Sequence, residues 1–201
     1  MRTVTSPDGT PIAYWVTGSG PPLVLVHGAT ADHSTTWRIV GPLLAAHRTV
    51  YAVDRRGRGG SGDGPTYAVA REAEDAVAVL EAIGRPADLL GHSFGGLVAL
   101  EAARLAANVR RLILYEPAIH PEGAGGRPEV IDRIEAHLRA GDNEAALVTM
   151  LRDMADMTEQ ELAIMRSQPE AWEARKANVA TVPRELRALA EANPDICRLV
   201  D

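Results

Sequence analysis

A chain of 201 residues with 46% hydrophobic content can bury one core, so a single domain is expected, with room for an inserted sub-domain. The net charge of −6 is unevenly placed: residues 1–120 carry 11 side chains of each sign, whereas residues 121–201 carry 10 basic and 16 acidic ones. An acidic surface of that kind favours solubility and opposes phosphate backbones and anionic lipid, which argues against nucleic acid and membrane surfaces as partners.

In chain order, Arg2 to Thr5 and Ile12 to Val16 flank the turn Pro7-Asp8-Gly9 and read as an opening hairpin. Leu23 to Val26, Thr49 to Val53, Ala87 to Leu90 and Arg111 to Leu114 are short and rich in Val, Leu and Ile, the composition of strands buried on both faces. Between them, Ala68 to Ile83 sets Val69, Ala73, Ala76, Val77, Leu80 and Ile83 at helical spacing, with Arg71, Glu72, Glu74 and Asp75 assigned to the opposite, solvated side. Leu97 to Ala107 is apolar nearly all round and predicts a deeply buried helix. This alternation is the pattern of an α/β fold, a mainly parallel sheet with helices on both faces. After Tyr115 the strand signals stop. Pro121 to Pro128 reads as a loop into a helical region: Glu129 to Ala140 ending at Gly141, Asp142 as a cap, Thr158-Glu159-Gln160-Glu161 as a capping box, and Pro169 and Pro183 in further first turns. The division is therefore a core over 1–120 and a helical lid over 121–201.

Cys197 is the only cysteine, which excludes an internal disulfide and a cysteine-rich metal site, and no metal is expected. The N-terminus has no apolar h-region, and no run approaches the roughly 18 apolar residues of a membrane span. A cytoplasmic location is the expectation.

Gly91-His92-Ser93-Phe94-Gly95 fits G-x-S-x-G, and it follows a predicted strand and precedes a predicted helix. That context is what the motif physically requires: the glycines admit a sharp turn that lifts the serine Oγ off the sheet edge. The helix start then supplies N–H groups, Phe94 among them, and a positive dipole end for a developing oxyanion. Ser93 is the expected nucleophile; the competing reading is a glycine-rich turn with an N-cap serine.

Three motifs together, His27-Gly28 after a strand, Asp54-Arg55-Arg56-Gly57-Arg58-Gly59-Gly60-Ser61, and Gly91 to Gly96, make the chain resemble the α/β-hydrolase superfamily, most closely its bacterial ester hydrolases and haloperoxidase-like members. The resemblance covers residues 1 to about 120 well, and beyond them matches only the general position of the family's lid. It implies a second oxyanion donor after the first parallel strand, which here is the backbone N–H of Ala29, beside that of Phe94. His27 and His92 then belong to their turns as structural residues.

Gly57-Arg58-Gly59-Gly60-Ser61-Gly62 also fits G-x-G-x-x-G, but no helix opens within it and no acidic residue ends a strand about 20 residues on, so a dinucleotide site is not expected. Arg55, Arg56 and Arg58 read as solvated loop arginines, with an anionic substrate group as their alternative partner. Met150, Met154 and Met157 fall at helical spacing and read as packing residues, with Met150 and Met154 as the candidate wall of an acyl pocket.

Family order places an acid and then a histidine after the serine. Glu116, at the end of the sixth strand, is a candidate acid, although most relatives place it one strand later. His120, within about 13 Å of extended chain from Glu116, is a candidate base, although the family has no histidine there. His33, His47 and His137 have weaker claims. The simpler expectation is that acid and histidine follow Asp201, which would make the sequence a fragment. The expected activity is hydrolysis of a small to medium carboxylic ester, lactone or thioester, a small-molecule acyl substrate, with no cofactor; peroxide in place of water would give perhydrolysis by the same machinery. The alternative is a binding protein of the same fold without a catalytic base. An exposed sheet edge would also allow pairing into a homo-oligomer.

Overall fold

In the computed structural model, which describes residues 1–119 and 127–191, the chain opens with an antiparallel hairpin of Arg2–Thr5 (β1) and Pro11–Thr17 (β2). Its turn is closed by the Thr10 N–H, which donates to the Asp8 carboxylate at 3.0 Å, and by the Ser6 N–H, which donates to the Thr10 carbonyl at 2.9 Å. Pro22–Val26 (β3), Thr49–Val53 (β4), Ala87–His92 (β5) and Val109–Tyr115 (β6) complete a six-stranded sheet of order β1-β2-β4-β3-β5-β6. The pairs β3/β4, β3/β5 and β5/β6 are parallel.

The apolar runs have the expected cause. Side chains alternate across a strand, so a run apolar at every position must be covered on both faces. Leu23, Leu25, Val50 and Ala52 pack with Trp37 and the half-buried Leu44 of helix Val40–Ala45 (α1) on one face. Val24, Val26, Tyr51 and Val53 pack on the other, against Val69–Ile83 (α2) and Phe94–Leu105 (α3). α3 packs on β3, β5 and β6 and also along α2, which itself touches β1, β2 and β3, so α3 is covered on several sides and is apolar nearly all round; Leu97 and Leu100 are buried, each stabilising the fold by about 1.5–3 kcal/mol. It begins at Phe94, three residues earlier than the apolar pattern indicated. α1 was not apparent in the sequence at all: six residues, none of them buried, leave no periodic stripe.

Beyond the sheet, Pro128–Arg139 (α4), Asn143–Asp153 (α5), Glu159–Arg166 (α6), Pro169–Ala177 (α7), a 3-10 turn at Val179–Thr181 and Val182–Glu191 (α8) form the helical region. Their starts follow local chemistry. Asp142 accepts from the Ala145 N–H at 2.9 Å, Thr158 and Glu161 form the reciprocal capping box, and Pro169 occupies the first turn of α7. Val130, Ile134, Leu147, Met150, Trp172 and Leu186 from these helices join the same hydrophobic cluster as Val24 and Leu97, so the helical region shares the core of the sheet. No helix among the described residues is long and apolar enough to cross a membrane. β6 is a terminal strand of the described sheet and exposes Ile113 and Tyr115.

Candidate active site

From β3 the chain passes to β4 on one side, then through α2 to β5 on the other. Loops leaving the two strands therefore diverge, which makes their carboxyl ends the topological switch point, the usual ligand position in a parallel sheet. Val26 of β3 pairs with Gly91 of β5, so His27-Gly28 and His92-Ser93 leave the sheet side by side. A Cβ placed on Gly28 would lie 3.0 Å from the Ser93 Cβ.

Ser93 has φ 53° and ψ −124°, a conformation that costs a non-glycine residue about 1–3 kcal/mol. Its surroundings hold it there. The Ser93 N–H donates to the Tyr115 carbonyl at 3.1 Å, and the Ser93 carbonyl accepts from the N–H groups of Gly96 at 2.8 Å and Ala118 at 3.0 Å. The flanking glycines are required by close approach: a Cβ on Gly91 would sit 2.7 Å from the Ala99 Cβ, and one on Gly95 would sit 2.7 Å from the Val26 carbonyl carbon. Phe94 opens α3, where an N–H has no partner within the helix. Among the described residues neither the Phe94 nor the Ala29 N–H donates to a group of the chain. Phe94 directly follows the half-buried Ser93, and Ala29 directly follows Gly28, the residue whose added Cβ would approach the Ser93 Cβ.

His27 is fully buried. Its Nε2 accepts from the Arg55 N–H at 3.2 Å, so the proton is assigned to Nδ1, which donates to the Gly28 carbonyl at 2.9 Å. Burial, then the nearby Arg55 and Arg58 charges, lower its pKa well below the ordinary imidazole value, so it is a neutral structural histidine. His92 is half-buried, stacked on Tyr115 with ring centroids 5.3 Å apart; its pKa is lowered by burial, against the pull of Glu116 and with a further push from Arg175. Glu116 lies exposed, at φ 45°, in the turn that receives Ser93, and makes no hydrogen bond to a histidine among the described residues. His120 lies outside the described residues, as does Cys197. Met150 is buried in the core cluster and Met154 is packed against it, the positions of packing residues.

The arginines depart from expectation. Arg55, Arg56 and Arg58 are buried, not solvated, because buried carboxylates meet them. Arg55 makes two 2.6 Å hydrogen bonds to Glu72, and Arg56 makes two 2.8 Å bonds to Asp75 and one of 2.9 Å to Asp8. Glu72 and Asp75 therefore belong to the inward side of α2, not to its solvated face. Arg58 hydrogen-bonds Glu185 of α8 and donates to Thr181 at 2.6 Å; Glu185 also lies 3.2 Å from Arg55. Arg55 and Arg58 each donate to the Gly28 carbonyl, at 3.2 and 3.1 Å. The Gly57–Gly62 segment is a loop wrapped on the buried Asp54, which accepts from the Gly60 N–H at 2.7 Å and from the His33 N–H at 2.8 Å. No helix opens there, in keeping with the reading against a dinucleotide site.

The family model of the alpha/beta hydrolases matches residues 23–199. The chain belongs to the alpha/beta hydrolase family. Among solved structures it is similar to an alpha/beta hydrolase from Sphaerobacter thermophilus, with a TM-score of 0.85 at 35% identity over 98% of this chain and 77% of that one. It is also similar to an esterase from a Rhodococcus species, with a TM-score of 0.71 at 29% identity over 94% and 71% of the two chains. Among curated proteins, a pimeloyl-[acyl-carrier protein] methyl ester esterase of Xylella fastidiosa is 42% identical over 99 residues, 49% of this chain and 37% of that protein. An N-formylmaleamate deformylase of Pseudomonas putida is 36% identical over 115 residues, 55% of this chain and 42% of that protein. The matches thus span less than half the length of these two curated relatives.

Proposed function

We propose that this alpha/beta hydrolase cleaves a carboxylic ester or related acyl compound with Ser93 as nucleophile. The supporting observation is the positive-φ turn of Ser93 between β5 and α3, next to Gly28, with the Phe94 and Ala29 N–H groups that follow these two residues making no bond among the described residues. The Ser93 Oγ attacks the acyl carbon as its proton passes to a histidine, and the carbonyl oxygen, now an oxyanion, accepts from the two N–H groups. Collapse expels the alcohol, which takes that proton, and water then repeats the sequence to release the acid and regenerate Ser93. Two of the relatives are named as a methyl ester esterase and a deformylase, which supports a reaction at an acyl carbon.

His27 is not the base, because both its ring nitrogens are engaged in holding its turn. Turnover of short acyl esters by the chain, compared with the variants Ser93→Ala and His120→Ala, tests the reading. Ser93→Ala should fall to the residual level of binding and oxyanion stabilisation, about 10³–10⁴-fold above the uncatalysed rate. Loss in His120→Ala as well would identify an internal base. Equal turnover by Ser93→Ala and wild type would overturn the proposal, and ester binding without turnover would point instead to a binding protein of this fold.

A further inference from the structure

The Gly28 carbonyl receives three donors: the His27 Nδ1 at 2.9 Å, the Arg55 Nη1 at 3.2 Å and the Arg58 Nη1 at 3.1 Å. That carbonyl and the Ala29 N–H belong to one peptide unit, which is planar and trans, so the two groups point in opposite directions. Whatever fixes the carbonyl therefore aims the N–H. Resting on the Ser93 reading, we propose that Arg55 and Arg58, held from the helical region by Glu185, are positioning residues that orient the Ala29 N–H toward the oxyanion.

The rest of the network supports the role. Two guanidiniums and two carboxylates, Glu72 from α2 and Glu185 from α8, form a balanced buried set. Arg55 is braced by its paired bonds to Glu72, which also accepts from the Tyr67 hydroxyl at 2.6 Å. Among the described residues, the side-chain partners of Arg58, Thr181 and Glu185, both come from the helical region, while its Nη1 reaches back to the carbonyls of Gly28 and Ala31. Thr181 in turn donates to Glu185 at 2.7 Å. Burial opposes the charge of Glu185, but Arg55 and Arg58 outweigh it and hold its pKa below the ordinary carboxylate value, so Glu185 remains an anchor at neutral pH. The seating of the helices over the sheet is thereby linked to the geometry of one peptide beside Ser93.

Arg56 with Asp75 supplies the control: a buried, doubly bonded ion pair from the same loop and the same helix that makes no contact with Gly28. The experiment compares Glu185→Gln with Asp75→Asn for thermal stability, for kcat and KM on a short acyl ester, and for the position of the Ala29 amide in a proton–nitrogen NMR spectrum. Both variants should lose stability. Glu185→Gln should also lose about 10–100-fold in kcat, part of the 10²–10³-fold worth of one oxyanion donor, with KM within about threefold of wild type. Its Ala29 amide resonance should shift, while that of Asp75→Asn stays at the wild-type position. Equal kcat losses in the two variants, or an unmoved Ala29 resonance in Glu185→Gln, would overturn the proposal. Should the wild type show no turnover, the Ser93 reading fails and the NMR comparison alone decides whether Glu185 holds this peptide.

Discussion

Gly95→Ala isolates the close approach that lets the Ser93 turn form. The new Cβ would meet the carbonyl oxygens of Val26 and His27 and sit 2.7 Å from the Val26 carbonyl carbon. Ordinary contact begins near 3.4 Å, and the obstacle is the backbone of β3, which cannot swing aside as a side chain can. Helix propensity pulls the other way, since alanine within α3 gains about 1 kcal/mol over glycine. Overpacking of a rigid site costs about 1–3 kcal/mol and sometimes more, and backbone on the receiving side places this site at the upper end. The net expectation is a loss of about 2 kcal/mol or more, a fall in Tm of roughly 4–8 °C for a domain of this size. Urea and thermal unfolding of the two chains measure it. Gly141→Ala is the companion: nothing lies within 4 Å of its Cβ, so only the left-handed φ of 74° is penalised, by about 1–2 kcal/mol. A Gly95→Ala chain as stable as wild type would refute the close-approach argument, and with it the account of why this turn is glycine-flanked.

Two further predictions concern the core. His27 is held neutral in the fold while the unfolded chain takes up a proton below about pH 6.5, so its contribution is fully present above that pH. It declines by about 1.4 kcal/mol per unit as pH falls from there toward the depressed folded value. Urea titrations at stepped pH should show that slope in wild type and its absence in His27→Gln; parallel profiles would contradict the neutral assignment. Met150→Ala should cost about 2–5 kcal/mol by opening a cavity in the shared cluster, with acyl-chain preference unchanged. Stability within about 0.5 kcal/mol of wild type together with an altered chain-length preference would place Met150 on an acyl pocket instead.

The strands were legible because burial on both faces demands uninterrupted apolar runs, and Leu23 to Val26 with Thr49 to Val53 supply them. The turn at Ser93 was legible because its motif stands between a strand and a helix, where the glycines have a steric purpose. What escaped was the charge buried beneath the site. Polarity suggested a solvated face for Glu72 and Asp75, although Glu72 stands three residues after Val69 and four before Ala76, within the apolar stripe of α2. The period carried the signal, and residue type obscured it. The partners of Arg58 lie more than a hundred residues along the chain, at Thr181 and Glu185, a separation that no local pattern reports. The short α1 was missed for a related reason: its half-buried Leu44 packs against the sheet, but one turn and a half cannot display a stripe.

Ser93 as nucleophile is the central claim, and reaction with a fluorophosphonate followed by mass spectrometry tests it most directly. The account predicts a single phosphonyl adduct on the peptide containing Ser93, formed by the folded chain and absent both after urea unfolding and in Ser93→Ala. A chain that remains unlabelled while folded, or that carries its adduct on another residue, would contradict it.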